Sequence, residues 1–248
     1  MSPHELTDAS PIEMHGEPVG ENCRRILPRG EHALIGVSAG NSYFNQDRLT
    51  ALLDWTERSF EDIDVVYVDT ALDEMLLADG RTPESAAKSV KATVRDVRRR
   101  IKRARERLGP QGDRIRVRAL SEIMELPAYQ AVRRETDRAF REDAEFAATC
   151  RAMVKDIVEN RSGSGSGSSS GTGAVTEAHL RAGLAYVQAE APLFVDCPAI
   201  FDVPTSVVVY HTTPPITAHL AGCPEGFRAA PGQGYALVRP REWSLAGV

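Results

Sequence analysis

The sequence is most informative first in what it lacks. Its four cysteines, Cys23, Cys150, Cys197 and Cys223, are widely scattered and form no CxxC pair. That spacing argues against a zinc site or a disulfide framework and points to a reducing, cytoplasmic setting. No apolar run approaches the roughly eighteen residues of a membrane span, and no membrane partner is expected. The opening MSPHELTDAS has no basic patch followed by an apolar stretch, so it does not read as a secretory leader. No HIGH-like, KMSKS-like or P-loop lysine segment occurs, which leaves no ATP-binding motif. Neither a metal nor a cofactor is expected. A net charge of −5 argues against a general nucleic-acid coat protein and gives no reason to expect DNA as a partner. A local basic patch can still bind RNA, because affinity follows the phosphates contacted.

What is present suits a folded domain. The 248 residues, 42% hydrophobic and 26% charged, are ample for a buried core. Residues 1–30, polar with scattered Pro and Gly, read as a loosely ordered arm. From residue 31 to 248 the chain reads as a single domain. His32-Ala-Leu-Ile-Gly-Val-Ser38 is an apolar run ending in small residues, as a buried strand does on opening into a loop. A helix is expected over 47–58 and a second buried strand over 64–69. Strand, helix and strand make a βαβ unit and imply a parallel sheet.

A long helix is expected from Pro83 to Leu108. Val90, Val94, Val97, Ile101, Ala104 and Leu108 line one narrow apolar face, and Gly109-Pro110 ends it. A third strand is expected over 115–120 and a long charged helix, broken or bent, over 128–159. Ser162–Gly173 contains only Gly, Ser and Thr and reads as a mobile surface loop. Thr176 caps a helix expected to stop at Pro192, Ser206–Tyr210 is a β-branched strand, and the Gly-, Pro- and Ala-rich tail after His219 reads as irregular.

Four constellations carry chemistry. Gly36-Val-Ser38-Ala-Gly40-Asn41-Ser42-Tyr43-Phe44 places a serine at the carboxyl edge of a parallel sheet, where open α/β folds bind ligands. A helix cap served by turn glycines accounts for the same local pattern. Gly36–Gly40 also fits the nucleophile elbow of serine esterases, with Asp202 and His211 or His219 as partners. Against that, one strand precedes Ser38 and no glycine-rich oxyanion loop does. Tyr186-Val-Gln-Ala-Glu190-Ala-Pro192 sets a phenol and a carboxylate on one helix face, where they can bind an ammonium group and pass protons; an exposed Tyr/Glu pair is the plain alternative. Val207-Val-Val-Tyr210-His211 delivers two polar side chains at a strand end. Lastly, the helix from Pro83 carries Lys88, Lys91, Arg95, Arg98, Arg99, Arg100, Lys102, Arg103, Arg105 and Arg107 against only Asp96 and Glu106 along its basic stretch. Crowding of one sign repels itself unless an anion is expected, and phosphate backbone is the anion that fits.

Together these residues resemble the cyclodipeptide synthases over roughly residues 30–215. The G-x-S-x-x-N-S-Y/F signature stands here as Gly36–Tyr43, and Y-x-x-x-E-x-P as Tyr186–Pro192. The resemblance implies an α/β fold: a Rossmann-like parallel sheet flanked by helices, similar to the catalytic domain of class I tyrosyl- and tryptophanyl-tRNA synthetases. It implies two aminoacyl-tRNAs as substrates and a monomer or homodimer. Ser38 would take an aminoacyl group, a second aminoacyl-tRNA would yield a dipeptidyl-enzyme, and cyclisation would release a diketopiperazine. Tyr186 and Glu190 would hold the ammonium, and Tyr210 would position Ser38 or relay protons. Asn41, Tyr210 and His211 match the family's Asn-Tyr-His subgroup, and Tyr129 matches a further active-site tyrosine. Leu34, Gly36, Val66, Val68, Leu120, Leu193 and Val208 would line the first aminoacyl pocket, all apolar or small. Lys91, Arg95, Arg98, Arg99, Lys102 and Arg103 would contact tRNA. The competing classes are a serine esterase and a non-catalytic tRNA-binding module.

Overall fold

The computed structural model describes residues 12–163, 176–222 and 226–245. A six-stranded sheet runs through its centre. The strands are β1 Met14–Pro18, β2 His32–Val37, β3 Asp62–Tyr67, β4 Ile115–Ala119, β5 Ser206–Tyr210 and β6 Gln233–Pro240, in the order β1-β6-β5-β2-β3-β4. All neighbours pair in parallel except β1, which runs antiparallel to β6 at the edge. The chain steps outward from β2 to β3 and β4, then returns to lay β5 on the other side of β2. The order therefore reverses between β2 and β5, the switch point at which crevices open in such sheets.

Helices cover both faces. They are α1 Glu21–Ile26, α2 Gln46–Ser59, α3 Leu72–Ala78, α4 Pro83–Arg107, α5 Leu120–Met124, α6 Pro127–Glu142, α7 Ala144–Gly163, α8 Glu177–Val195, α9 Cys197–Phe201, α10 Pro215–Gly222 and α11 Arg241–Leu245. Alternation along β2 sorts its side chains. Ala33, Ile35 and Val37 meet Leu49 and Leu53 of α2 and Val97 and Ile101 of α4. Leu34 faces the opposite cluster, built largely from α6, α7 and α8. Among the described residues no helix is long and apolar enough to cross a membrane.

Several expectations need correction. Within the supposed loose arm, residues 14–18 form β1 and residues 21–26 form α1; residues 1–11 lie outside the described set. MHGEP lacks alternation because it is a half-exposed edge strand, and its pairing partner is far away in sequence. That partner, β6, lies in the tail read as irregular. The helix over 128–159 is two helices. They part at Asp143, whose Oδ1 accepts from the backbone N–H groups of Glu145 and Phe146 at 3.0 and 2.9 Å. Helix α8 passes through Pro192 to Val195, held by the buried Leu193 and Val195 despite the missing donor. Of the Gly/Ser run, residues 162–163 end α7 and residues 164–173 lie outside the described set.

Candidate active site

Where β2 ends, the chain turns at once. The Asn41 N–H donates to the Ser38 carbonyl at 3.4 Å, with Gly40 at φ 79°. Ala39 is not among the positive-φ residues. This is therefore a type II turn, whose third position needs a left-handed residue and hence glycine. The turn lifts Ser38 out of the sheet edge at the switch point.

Asn41 is fixed from both ends. Its Oδ1 accepts from the Tyr43 backbone N–H at 2.9 Å, which leaves Nδ2 to donate to Tyr210 Oη at 3.4 Å. Tyr210, the last residue of β5, shares a 3.2 Å hydrogen bond between its hydroxyl and Ser38 Oγ. Helix α8 supplies the remainder. Tyr186 Oη donates to Glu190 Oε1 at 3.2 Å, one helical turn away. Burial pushes the Glu190 carboxyl up to about 7 against the pull of the Tyr186 bond, and no cation offsets that burial. Burial, and then the Glu190 charge, hold the Tyr186 phenol well above its usual range, while Ser38 pulls it down. Burial also raises Tyr210, against its bonds with Ser38 and Asn41. Ser38 is thus bordered by two protonated phenols and a carboxyl group that titrates near neutrality. Such a group accepts or returns a proton at little cost.

The other candidates fall into place differently. His211 forms no hydrogen bond with Ser38. Its ring stacks on Tyr43 at 3.8 Å and meets Phe44 edge-on at 5.5 Å, and Nδ1 is buried without a partner among the described residues. Burial and the nearby Arg48 charge lower it to about 4, so it is neutral at physiological pH. Tyr129 is fully buried and donates to the Ala189 carbonyl at 2.8 Å. It braces α8 beside Glu190. Leu34, Val66, Val68, Leu120, Leu193 and Val208 belong to one buried cluster with Tyr186 and Tyr129. Gly36 lies on the same face of β2 as Leu34, and a Cβ there would meet nothing within 4 Å. The open space beneath Ser38 therefore exists where a side chain is missing. Gly183, on α8 one turn before Tyr186, serves packing. A Cβ there would meet Val154 Cγ1 at 2.7 Å, so it admits α7 against α8.

The esterase partners do not assemble. His219 lies 4.0 Å from Glu145 and against Phe146, and Asp202 ends α9 in a left-handed conformation. Neither bonds to Ser38. A serine–histidine–aspartate chain does exist at the opposite sheet edge: His32 is 2.7 Å from Ser206 Oγ and 3.2 Å from Asp64 Oδ2, and Arg116 also binds Asp64. All of its first three members are at most 1% exposed, so it ties β2, β3 and β5 together.

On α4, Lys91, Arg95, Arg98, Arg99, Lys102 and Arg103 are all exposed. Asp96 pairs with Arg99 and Arg100, and Glu106 pairs with Lys102. Lys91, Arg95, Arg98 and Arg103 have no ion pair among the described residues. Arg98 lies beside Tyr67 at the end of β3, and Arg100 donates to the Phe44 carbonyl. The turns before residue 98 therefore run out past the sheet edge that carries Ser38. Sequence reasoning missed Arg133, which lies near Tyr129 and clasps both Asp137 oxygens at 2.8 and 2.9 Å. It also missed Arg48 and Trp243 beside Tyr43. An i,i+4 Arg–Asp pair was the only local signal for the first; the other two had none.

Comparison with known proteins adds a family context. A family model described as cyclodipeptide synthase matches residues 14–240. The cyclo(L-leucyl-L-phenylalanyl) synthase of Streptomyces noursei is 56% identical over 237 residues, 96% of each chain. The cyclo(L-tyrosyl-L-tyrosyl) synthase of Mycobacterium tuberculosis is 34% identical over 223 residues, 90% of this chain and 75% of that one. Among solved structures, a cyclo(L-leucyl-L-phenylalanyl) synthase superposes with a TM-score of 0.86 at 54% identity, covering 92% of this chain and 99% of that chain. A Mycobacterium tuberculosis structure, described as relating cyclodipeptide synthetases to type I tRNA synthetases, gives 0.80 at 31% identity over 94% and 95%. The fold is accordingly Rossmann-like.

Proposed function

We propose, from the premise that this chain belongs to the cyclodipeptide synthase family, that it joins two aminoacyl groups taken from charged tRNAs through ester intermediates on Ser38. The observation that carries this reading is Glu190, a partly buried residue whose carboxyl group has no cation paired with it among the described residues, set near Ser38 through Tyr186. Burying a carboxylate unpaired is costly unless a cation arrives to meet it. The α-ammonium of an aminoacyl group is such a cation.

In the first step Ser38 Oγ attacks the aminoacyl ester. The Oγ–C bond forms, the bond to the tRNA 3′-terminal oxygen breaks, and the serine proton ends on the released tRNA hydroxyl. Tyr210, hydrogen-bonded to Ser38 and steadied by Asn41, orients the nucleophile and relays that proton. Next, the ammonium held by Glu190 must lose a proton before its nitrogen can attack. A carboxyl group titrating near 7 suits both holding that proton and passing it on. For the peptide to stay on Ser38, the attacking amine must belong to the seryl ester and the attacked carbonyl to the second aminoacyl-tRNA, whose ester bond breaks as the N–C bond forms and whose 3′-terminal oxygen leaves with the amine's proton. The new amine then attacks the Ser38 ester, closing the six-membered ring and returning Ser38 with its proton. Atoms balance without ATP or a redox partner.

The Asn41–Tyr210 bond and the His211 stack support assignment to the Asn-Tyr-His subgroup. In this reading His211 packs behind Tyr210 and stays neutral at physiological pH. The open space at Gly36, on the face of β2 that Leu34 shares and in register with Val66 of β3, supports an apolar first aminoacyl group. Exposed cations of α4 receive the tRNA backbone. The test is expression in a bacterium with mass spectrometry of the medium. Cyclic dipeptides are expected from the native chain and none from Ser38→Ala. Serine-independent product, or no product with soluble protein, would overturn the assignment; RNA binding without product would favour a non-catalytic module.

A further inference from the structure

Strands β2, β5 and β6 are mutually parallel along the sheet, so the segments that follow them emerge at one edge. Ser38 follows β2 and Tyr210 ends β5. Trp243 lies on α11, immediately after β6. It is 40% exposed, one of three large hydrophobic side chains so exposed among the described residues. The Arg48 guanidinium lies 4.9 Å from its ring and 5.3 Å from the Tyr43 ring. Arg48 stands in the first turn of α2, and neither it nor Arg239, whose charge reaches Tyr43, has an ion pair among the described residues. Tyr43 stacks on His211 at 3.8 Å, His211 meets Tyr210 at 4.3 Å, and Tyr210 bonds Ser38.

An exposed indole braced by an arginine, with uncompensated positive charge around it, is what unpaired nucleic acid strands bind. Bases stack on the ring, and cations meet the phosphates. Helix α4, with its exposed cations, lies alongside, since its Arg100, itself paired with Asp96, donates to the carbonyl of Phe44, next to Tyr43. Charge complementarity favours a polyanion over an apolar protein surface, which would cover Arg48 and Arg239 without supplying counter-charges.

We propose that Trp243 and Arg48 form a stacking platform for an unpaired nucleobase in the single-stranded 3′ end of the aminoacyl-tRNA, just upstream of the ester presented to Ser38. The proposal rests on the tRNA-dependent reading above. Base stacking would hold the acceptor strand in line while α4 holds the duplex, which would make Trp243 a determinant of KM more than of kcat.

The experiment is a double-mutant cycle on binding. Native protein, Trp243→Ala and Trp243→Phe are titrated with intact tRNA and with the same tRNA trimmed of its unpaired 3′ nucleotides. Trp243→Ala should bind intact tRNA about tenfold more weakly, a typical stacking contribution. Trp243→Phe should recover most of that loss, and on trimmed tRNA all three should bind alike. Arg48→Gln should flatten the salt dependence by about one phosphate's worth, whereas Trp243→Ala should leave it unchanged. Equal loss on both RNAs would make the tryptophan structural or a duplex contact and overturn the platform, as would no loss on either. Failure of the tRNA reading itself looks different: native protein would bind neither RNA.

Discussion

Tyr186 and Glu190 stand one turn apart on α8 and share a 3.2 Å hydrogen bond, yet burial outweighs that bond in setting where the carboxyl titrates. The folded-state value, about 7, lies above the ordinary 4.5. The folded state therefore holds this proton more tightly than the unfolded chain. Stability from this group is fully present below about pH 4.5 and is lost as pH rises through 7. Glu190→Gln should remove that loss. Thermal melts at pH 5 and pH 8.5 should show the variant gaining on the native protein at the higher pH, by at most on the order of 3 kcal/mol. Its cyclic dipeptide output should fall about a hundredfold or more. A melting-temperature difference independent of pH would contradict the burial account.

His211 carries the opposite sign. Its folded value near 4 lies below the ordinary 6.5, so its contribution to stability is present above 6.5 and is lost as pH falls toward 4. His211→Phe keeps a stackable ring and discards the proton. The variant should lose less stability than the native protein between pH 6.5 and 4.5 in urea titrations, with activity at pH 7.5 within a few-fold. A large loss of activity at pH 7.5 with unchanged folding would give His211 a chemical part after all.

Asn41→Ala leaves the Tyr43 N–H without its acceptor and Tyr210 without one donor. Each missing bond costs roughly 1 kcal/mol, so the fold should survive with a slightly lower Tm. Turnover should fall by tenfold or more, through kcat, because Tyr210 would no longer be aimed at Ser38. The check is single-turnover formation of the aminoacyl-enzyme, which should slow in parallel with product.

Gly36→Val adds a β-branched side chain where nothing stands within 4 Å, in a strand that favours such residues. Stability should hold or rise. Large first aminoacyl groups should be excluded, each misfitted methylene costing tenfold or more in kcat/KM. Mass spectrometry of the product mixture should shift toward smaller side chains. An unchanged product pattern would place the pocket elsewhere.

Neutralising Arg95 and Arg98 together should weaken tRNA binding and lower the slope of log affinity against log salt by about one for each phosphate left without its cation. Affinity measured at three salt concentrations decides it. Equal slopes for native and variant protein would remove these two residues from the RNA surface.

The parts of the fold visible in sequence were those with strong periodicity. β2, β3, β5 and α4 follow from apolar runs or from a stripe at helical spacing, and each lies within a residue or two of where the sequence put it. The missed edge, β1 with β6, has no such signature: β1 is a half-exposed strand whose partner is more than 200 residues distant, and β6 lies in a tail rich in Gly, Pro and Ala. The site divides the same way. Ser38, Tyr186 and Glu190 sit in dense local motifs. Arg48 and Trp243 act through neighbours that only the folded chain supplies, and His211, adjacent to Tyr210 in sequence, turns away from the serine because Tyr43 offers its ring a flat surface.

Ser38 and Tyr210 are 172 residues apart, and they meet only because β5 inserts next to β2. A growing chain on the ribosome therefore displays Ser38 long before its tyrosine exists. During that interval the serine is an ordinary alcohol, surrounded by the very charged tRNAs that translation is consuming. In the proposed mechanism, acyl transfer would switch on only when the last third of the chain has threaded into the sheet, so assembly itself would delay competition with the ribosome until the protein is complete enough to finish the ring.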